Sequence, residues 1–200
     1  PTWRELGPAF LREAGIPATP EQEQMLRTMT DHEVIPYLRE VCGLPWSEQE
    51  IMDKIIARME DFYSTQVRPK PGLEKFLSIL KMEGVWMYVA TATHRRLTEK
   101  ALKTAGIDHY FRGIVTSADA GNHKSESADI YEMAMRRLQS NKRDTVVFED
   151  ALHAIRTAKA AGFRVAGVYE ATAEQDQPEI QRLCDYYIRS YEELVQSETF

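Results

Sequence analysis

Three short stretches of this sequence carry groups suited to a charged phosphate ester or a divalent cation, each at the end of an apolar run or in the loop after one. Thr91-Ala92-Thr93-His94 follows the run at 85–90 and opens the next helical segment. Its hydroxyls and backbone N–H groups form a natural cradle for a phosphate oxygen, although a Ser/Thr helix cap uses the same groups. Glu149-Asp150 follows DTVVF. Two adjacent carboxylates repel, and either a helix N-terminus or a hard cation relieves the repulsion. Magnesium takes one or two carboxylates and completes its shell with water and phosphate oxygens. Lys124, in the loop Asn122-His123-Lys124, is an ordinary exposed cation by itself. Beside a hydroxyl loop and an acid pair it becomes an ammonium able to reach a transferring phosphoryl group. His94 and His153 are read as a rim residue and a helix-face residue instead of general bases.

The elements that must position these groups alternate helix and strand. LEKFLSILKMEG is amphipathic and precedes VWMYVA at 85–90. GIVTSA at 113–118, DTVVFED at 144–150, FRVAGVY at 163–169 and a short run near 186–188 continue the series, with helical segments near 95–105, 127–139 and 151–161 between them. Five short strands, apolar along their length and separated by helices, predict a parallel sheet covered on both faces, an α/β class of fold. In such sheets ligands bind beyond the carboxyl ends of the strands, which is where all three stretches fall.

Residues 1–67 follow a different rhythm. Trp3, Leu6, Phe10 and Leu11, and later Ile51, Ile55, Ile56, Met59 and Phe62, recur at helical spacing, and Ser47 with Glu50 predicts a capped start for a helix over 48–65. Val67-Arg68-Pro69-Lys70-Pro71-Gly72 cannot continue a helix and reads as a hinge between an all-helical domain at 1–67 and the α/β domain at 68–200.

A net charge of -6 argues against a nucleic-acid surface, and the pairs Arg95-Arg96 and Arg136-Arg137 read as solvated helix faces. Two distant cysteines, Cys42 and Cys184, form neither a disulfide framework nor a zinc motif, so a reducing cytoplasm is the default. With no apolar run of membrane-spanning length, no membrane is expected, and the chain is expected to act as a monomer.

VATATHR, then Lys124 in NHKSESADIYEMA, then VVFEDALHAIRTAKAAGF resemble the second, third and fourth motifs of the haloacid dehalogenase superfamily, in the branch of phosphoglycolate phosphatases and β-phosphoglucomutases. The spacings, 33 residues from Thr91 to Lys124 and 26 from Lys124 to Asp150, fit that branch, while SESAD lacks the proline usual after the lysine. KPGLEKFLSILKMEG resembles the branch's hinge and first core helix. The resemblance implies a Rossmann-like parallel-sheet core with an inserted all-helical cap. It also implies that Thr91 and the Ala92 N–H hold phosphoryl oxygens, that Lys124 balances charge, and that Asp150, helped by Glu149, binds Mg²⁺.

The family's first motif, an Asp-x-Asp pair after the first strand, has no counterpart in these residues. Because that strand lies mid-sheet in the family, a further strand and loop before Pro1, on the order of a dozen residues, is expected to carry nucleophile and general acid. The implied activity is Mg²⁺-dependent hydrolysis of a small phosphorylated metabolite through an aspartyl-phosphate. A sugar phosphomutase is the alternative, for which LRTMTDHEVIPYL offers Arg27 without reproducing the mutases' Arg-containing cap segment. A non-catalytic binding protein is the reading if the nucleophile strand is absent altogether. Trp3, Arg27, His32 and Tyr37 are candidate contacts for the leaving group.

Overall fold

The computed structural model describes residues 2–29, 31–65, 67–121 and 127–196. The chain separates into two compact units, residues 1–65 and 66–200.

The first unit is helical: α1 (Thr2–Glu13), α2 (Pro20–Thr28), α3 (Asp31–Pro36) and α4 (Glu48–Thr65). Two starts are fixed by reciprocal caps. Thr19 and Gln22 exchange hydrogen bonds at the head of α2, and at the head of α4 the Ser47 N–H donates to Glu50 while the Glu50 N–H donates to Ser47 Oγ. Leu6, Phe10 and Leu11 from α1 are buried, as are Ile51, Ile55 and Met59 from α4. Glu13 pairs with both Lys54 and Arg58, whose charges lie over the rings of Trp46 and Phe10 at 4.3 and 4.9 Å. A π-turn at Tyr37–Val41 follows Pro36. Proline supplies no N–H to the helical ladder, and a widened turn there is a local consequence the apolar spacing does not reveal.

The second unit alternates α5 (Leu73–Met82), β1 (Met87–Thr91), α6 (Arg95–Thr104), β2 (Phe111–Thr116), α7 (Ser117–Ala120), α8 (Asp129–Arg137), β3 (Val146–Glu149), α9 (Leu152–Ala160), β4 (Arg164–Val168), α10 (Gln177–Leu183), β5 (Tyr186–Ile188) and α11 (Tyr191–Gln196). Every pairing is parallel, as strands joined through helices require. The strands form two sheets, β1-β2 and β3-β4-β5, so among the described residues β1 pairs only with β2 and β3 is an edge of its own sheet.

The two sheets share a core. Val115 of β2, Ile130 of α8, Val147 of β3, Ile155 of α9, Val165 of β4 and Ile180 of α10 belong to one buried cluster, with Tyr88 and Ala90 of β1 packed against it. Each such aliphatic side chain contributes about 1.5–3 kcal/mol on burial. Side-chain packing therefore links two sheets that share no backbone ladder among the described residues. A second cluster joins α5 to α11, with Phe76 5.4 Å from Tyr191 and 5.8 Å from Phe148. Gly72, at φ +78°, turns the chain into α5 so close to α11 that a Cβ there would lie 2.5 Å from the Glu192 nitrogen. No helix among the described residues is long and apolar enough to cross a membrane.

Candidate functional site

Thr91 is the last residue of β1 and stands in register with Thr116, the last of β2. Its Oγ1 accepts the Thr93 N–H at 3.1 Å, which closes a short turn over Ala92. The buried Thr98 donates to the carbonyls of Thr93 and His94 and fixes the turn from the helix side. The cap of α6 is His94, whose Nδ1 accepts the Arg96 N–H at 3.3 Å. Its imidazole is thus engaged at the helix start, and the hydroxyls of Thr91 and Thr93 are not the cap. His153 is exposed on α9.

At the end of β3 the two acids differ sharply. Glu149 is only 6% exposed. Its Oε1 accepts the Tyr131 hydroxyl at 3.1 Å, and its Oε2 accepts the backbone N–H groups of Asp150 and Ala151 at 3.0 and 3.1 Å. A buried carboxylate is tolerable only with such donors. Asp150 is half-buried, and its charge acts on two phenols. Burial, then the charges of Glu149 and Asp150, pushes the Tyr131 hydroxyl well above the usual phenol range, so it remains a protonated donor. Burial and then Asp150 push Tyr191 up to about 12.

A cavity of about 240 Å³ opens at these strand ends, lined by Ala90 of β1, Phe148 and Glu149 of β3, Asp150, Val168 of β4, Lys70 and Tyr191. The structure therefore brings Glu149, Asp150 and Ala90, the residue before Thr91, to one cavity. Lys124 lies outside the described residues, and so do the side chains of Trp3, Arg27 and His32; Tyr37 is half-buried at the start of the π-turn. Among the described residues no three His, Cys, Asp or Glu side chains gather as a metal cage. Two adjacent acids at an open, polar strand end do suit magnesium, which draws the rest of its shell from water and phosphate. They do not suit a zinc centre built from three protein ligands.

Residues 9–168 match the haloacid dehalogenase-like hydrolase family. The chain belongs to that family. Among curated relatives, the phosphorylated carbohydrates phosphatase of Thermotoga maritima is 25% identical over 155 residues, which is 77% of this chain and 71% of the relative. Protein CbbY of Cereibacter sphaeroides is 32% identical over 152 residues, 72% of this chain and 65% of the relative. A solved CbbY variant from Rhodobacter sphaeroides, in complex with xylulose-1,5-bisphosphate, superposes with a TM-score of 0.75 at 23% identity over 96% of this chain and 88% of that one, a likeness of fold.

In this haloacid dehalogenase-like chain three residues at the site escaped the sequence reading. By sequence Lys70 belongs only to the hinge segment. It lines the cavity, with its Nζ donating to the Tyr169 carbonyl at 3.1 Å and to Glu170 at 2.8 Å. A lone lysine between two prolines was the available signal. Tyr191 sits far along the chain in α11, with no motif around it. Tyr131 belongs to the apolar face of α8 with Ile130 and Ala134, and nothing in that spacing announces where its hydroxyl goes.

Proposed function

We propose that this chain serves a magnesium-dependent phosphatase activity on a small phosphate monoester, most simply a phosphorylated sugar. The observation that carries the reading is the acid pair at the carboxyl end of β3, lining a cavity that Ala90, next to the end of β1, also lines. The names of the curated relatives favour a phosphorylated carbohydrate as the class of substrate.

A nucleophile strand of the kind the family resemblance implies would fit beside β1 and β3. Three features support this. β1 pairs only with β2 and β3 only with β4 among the described residues. Both face one cavity. The aromatic Phe148, 41% exposed in the middle of β3, is left without the cover that an adjoining strand would give it. A strand there, parallel to both neighbours, would end near Thr91 and Asp150.

In the reaction one upstream aspartate attacks phosphorus, and the P–O bond to the leaving alcohol breaks as the second aspartate delivers a proton to that oxygen. Water then attacks the aspartyl-phosphate, releasing inorganic phosphate and restoring the carboxylate. Asp150, with Glu149, would hold magnesium, which would supply charge neutralisation for the phosphoryl group. The Thr91 hydroxyl and the Ala92 N–H orient phosphoryl oxygens, and the Lys124 ammonium offsets charge building on phosphate and nucleophile. Residues 1–67 act as a cap, with Val67–Pro71 as the hinge, limiting water during the first step and admitting it for the second. The test is phosphate release from a panel of sugar phosphates with and without Mg²⁺. Metal-dependent release is expected, an isomerised sugar phosphate in place of free phosphate would favour the mutase, and no turnover of any ester would overturn the reading.

A further inference from the structure

At the start of β1, the end away from Thr91, the second unit leaves large apolar side chains open to solvent. Met82, Val85 and Trp86 are 75%, 45% and 49% exposed and fall within one run of five residues. The cause is local. Gly84, at φ +75°, closes α5 as the Gly84 and Val85 N–H groups donate to the Lys81 and Leu80 carbonyls, and the chain turns directly into β1. An apolar residue after such a turn commonly folds back on its helix, whereas Val85 stays half in water. We propose that a second copy of the chain docks on this surface about a two-fold axis, in place of the monomer expected from the sequence.

Two contacts join the segment 108–112 to the same surface. The Arg112 guanidinium lies over the Trp86 ring, 3.3 Å from its centroid. Lys81 Nζ donates to the His109 carbonyl at 3.2 Å and lies over the Tyr110 ring at 5.4 Å. Scattered exposed apolar residues are ordinary. Methionine beside a tryptophan that stacks on an arginine is different, because these residue types are the ones enriched in protein interfaces and their hot spots.

Charge selects the occupant. Asp108 and Arg112 are exposed and stand two residues either side of Tyr110, on the run into β2. Among the described residues the Asp108 carboxylate has no partner, and Arg112 has only the Trp86 ring. An axis passing near Tyr110 brings Arg112 of each copy to Asp108 of the other, so one contact satisfies all four charges. A partner of a single sign satisfies only half of them. Each chain carries -6 overall, so two copies repel except across a face that holds both signs. Three apolar side chains fall short of the roughly 800 Å² per partner that a stable interface buries, so the pair is weak and forms in the micromolar range. The surface lies at the starts of β1 and β2, and the proposal is independent of the phosphatase reading.

The test is sedimentation equilibrium of the intact protein over a concentration series. The mass is expected to rise from one chain toward two. Met82→Glu, at a side chain already 75% exposed, is expected to weaken association at least tenfold with the thermal unfolding midpoint almost unchanged. Arg112→Glu is expected to weaken it about tenfold, and Arg112→Glu with Asp108→Arg to recover most of that loss, since the reversed pair meets across the same axis. A single-chain mass at every concentration would overturn the proposal and leave the surface to a different molecule. Association that survives both Met82→Glu and Arg112→Glu would overturn it as well, because another face would then hold the dimer. If the charge-reversed double variant stays as weak as Arg112→Glu, the two-fold pairing is wrong.

Discussion

The ends of β1 and β3 face one cavity but are built in opposite ways. The β1 end is local: Thr91 bonds to the backbone two residues on, and His94 caps the helix that follows. The β3 end is tertiary, with a buried acid whose hydroxyl partner comes from α8, 18 residues earlier in the sequence. A local turn tolerates substitution because its neighbours can readjust. A buried charge does not, because loss of one partner strands the others. The β3 end is accordingly the rigid half of the proposed site and the β1 end the adaptable half.

That contrast sets the expected order of effects. Asp150→Ala should lower Mg²⁺-dependent phosphate release by about a thousandfold or more, since the chain would keep no half-exposed carboxylate for the cation at the β3 end. Lys124→Ala should cost about a hundredfold in kcat with a midpoint of thermal unfolding almost unchanged, as expected of a loop cation that stabilises charge in the transition state. Thr91→Val, at the adaptable end, should cost only about tenfold, with Thr91→Ser close to the unsubstituted rate. A thousandfold loss for Thr91→Val, or a tenfold one for Asp150→Ala, would reverse the comparison.

The smallest effect is on stability in acid. Thr116 donors, with Arg95, hold Asp119 below the usual carboxylate range. Lys70 and the Thr172 N–H do the same for Glu170, and Lys159 does so for Asp185. Each group binds its proton more weakly folded than unfolded. Their contribution is complete above the ordinary values of 3.8 for Asp and 4.5 for Glu, and is lost as pH falls through the lower folded values. Calorimetry should show a midpoint flat from pH 7 to about 5 and falling by several degrees below about pH 4. These groups are partly solvated, so the fall should be modest and should shrink further in high salt.

The same distinction between local and tertiary structure explains what the sequence reveals. The strand and helix series follows from apolar runs and breakers. Its boundaries move where local bonds intervene, as at β3, which begins at Val146 instead of 144 because Asn141 closes a short turn by accepting the Asp144 N–H. The placement of Thr91 and Asp150 at strand ends, where ligands meet parallel sheets, is legible from the apolar runs. The role of Glu149 is not, because its partner Tyr131 looks like any core aromatic until the fold brings it there. Lys70 is hidden for the same reason, since its bonds to Tyr169 and Glu170 lie about a hundred residues away. Division of the strands into two sheets is also invisible to periodicity, which reports that a strand is buried but not which neighbour it pairs with.

The most direct measurement is the initial rate of inorganic phosphate release from a sugar monophosphate by the intact protein, across a Mg²⁺ titration, for the unsubstituted chain and Asp150→Asn side by side. A saturable dependence on Mg²⁺ that Asp150→Asn abolishes is the predicted result. A rate indifferent to Mg²⁺, or the same saturation curve in both proteins, would contradict it.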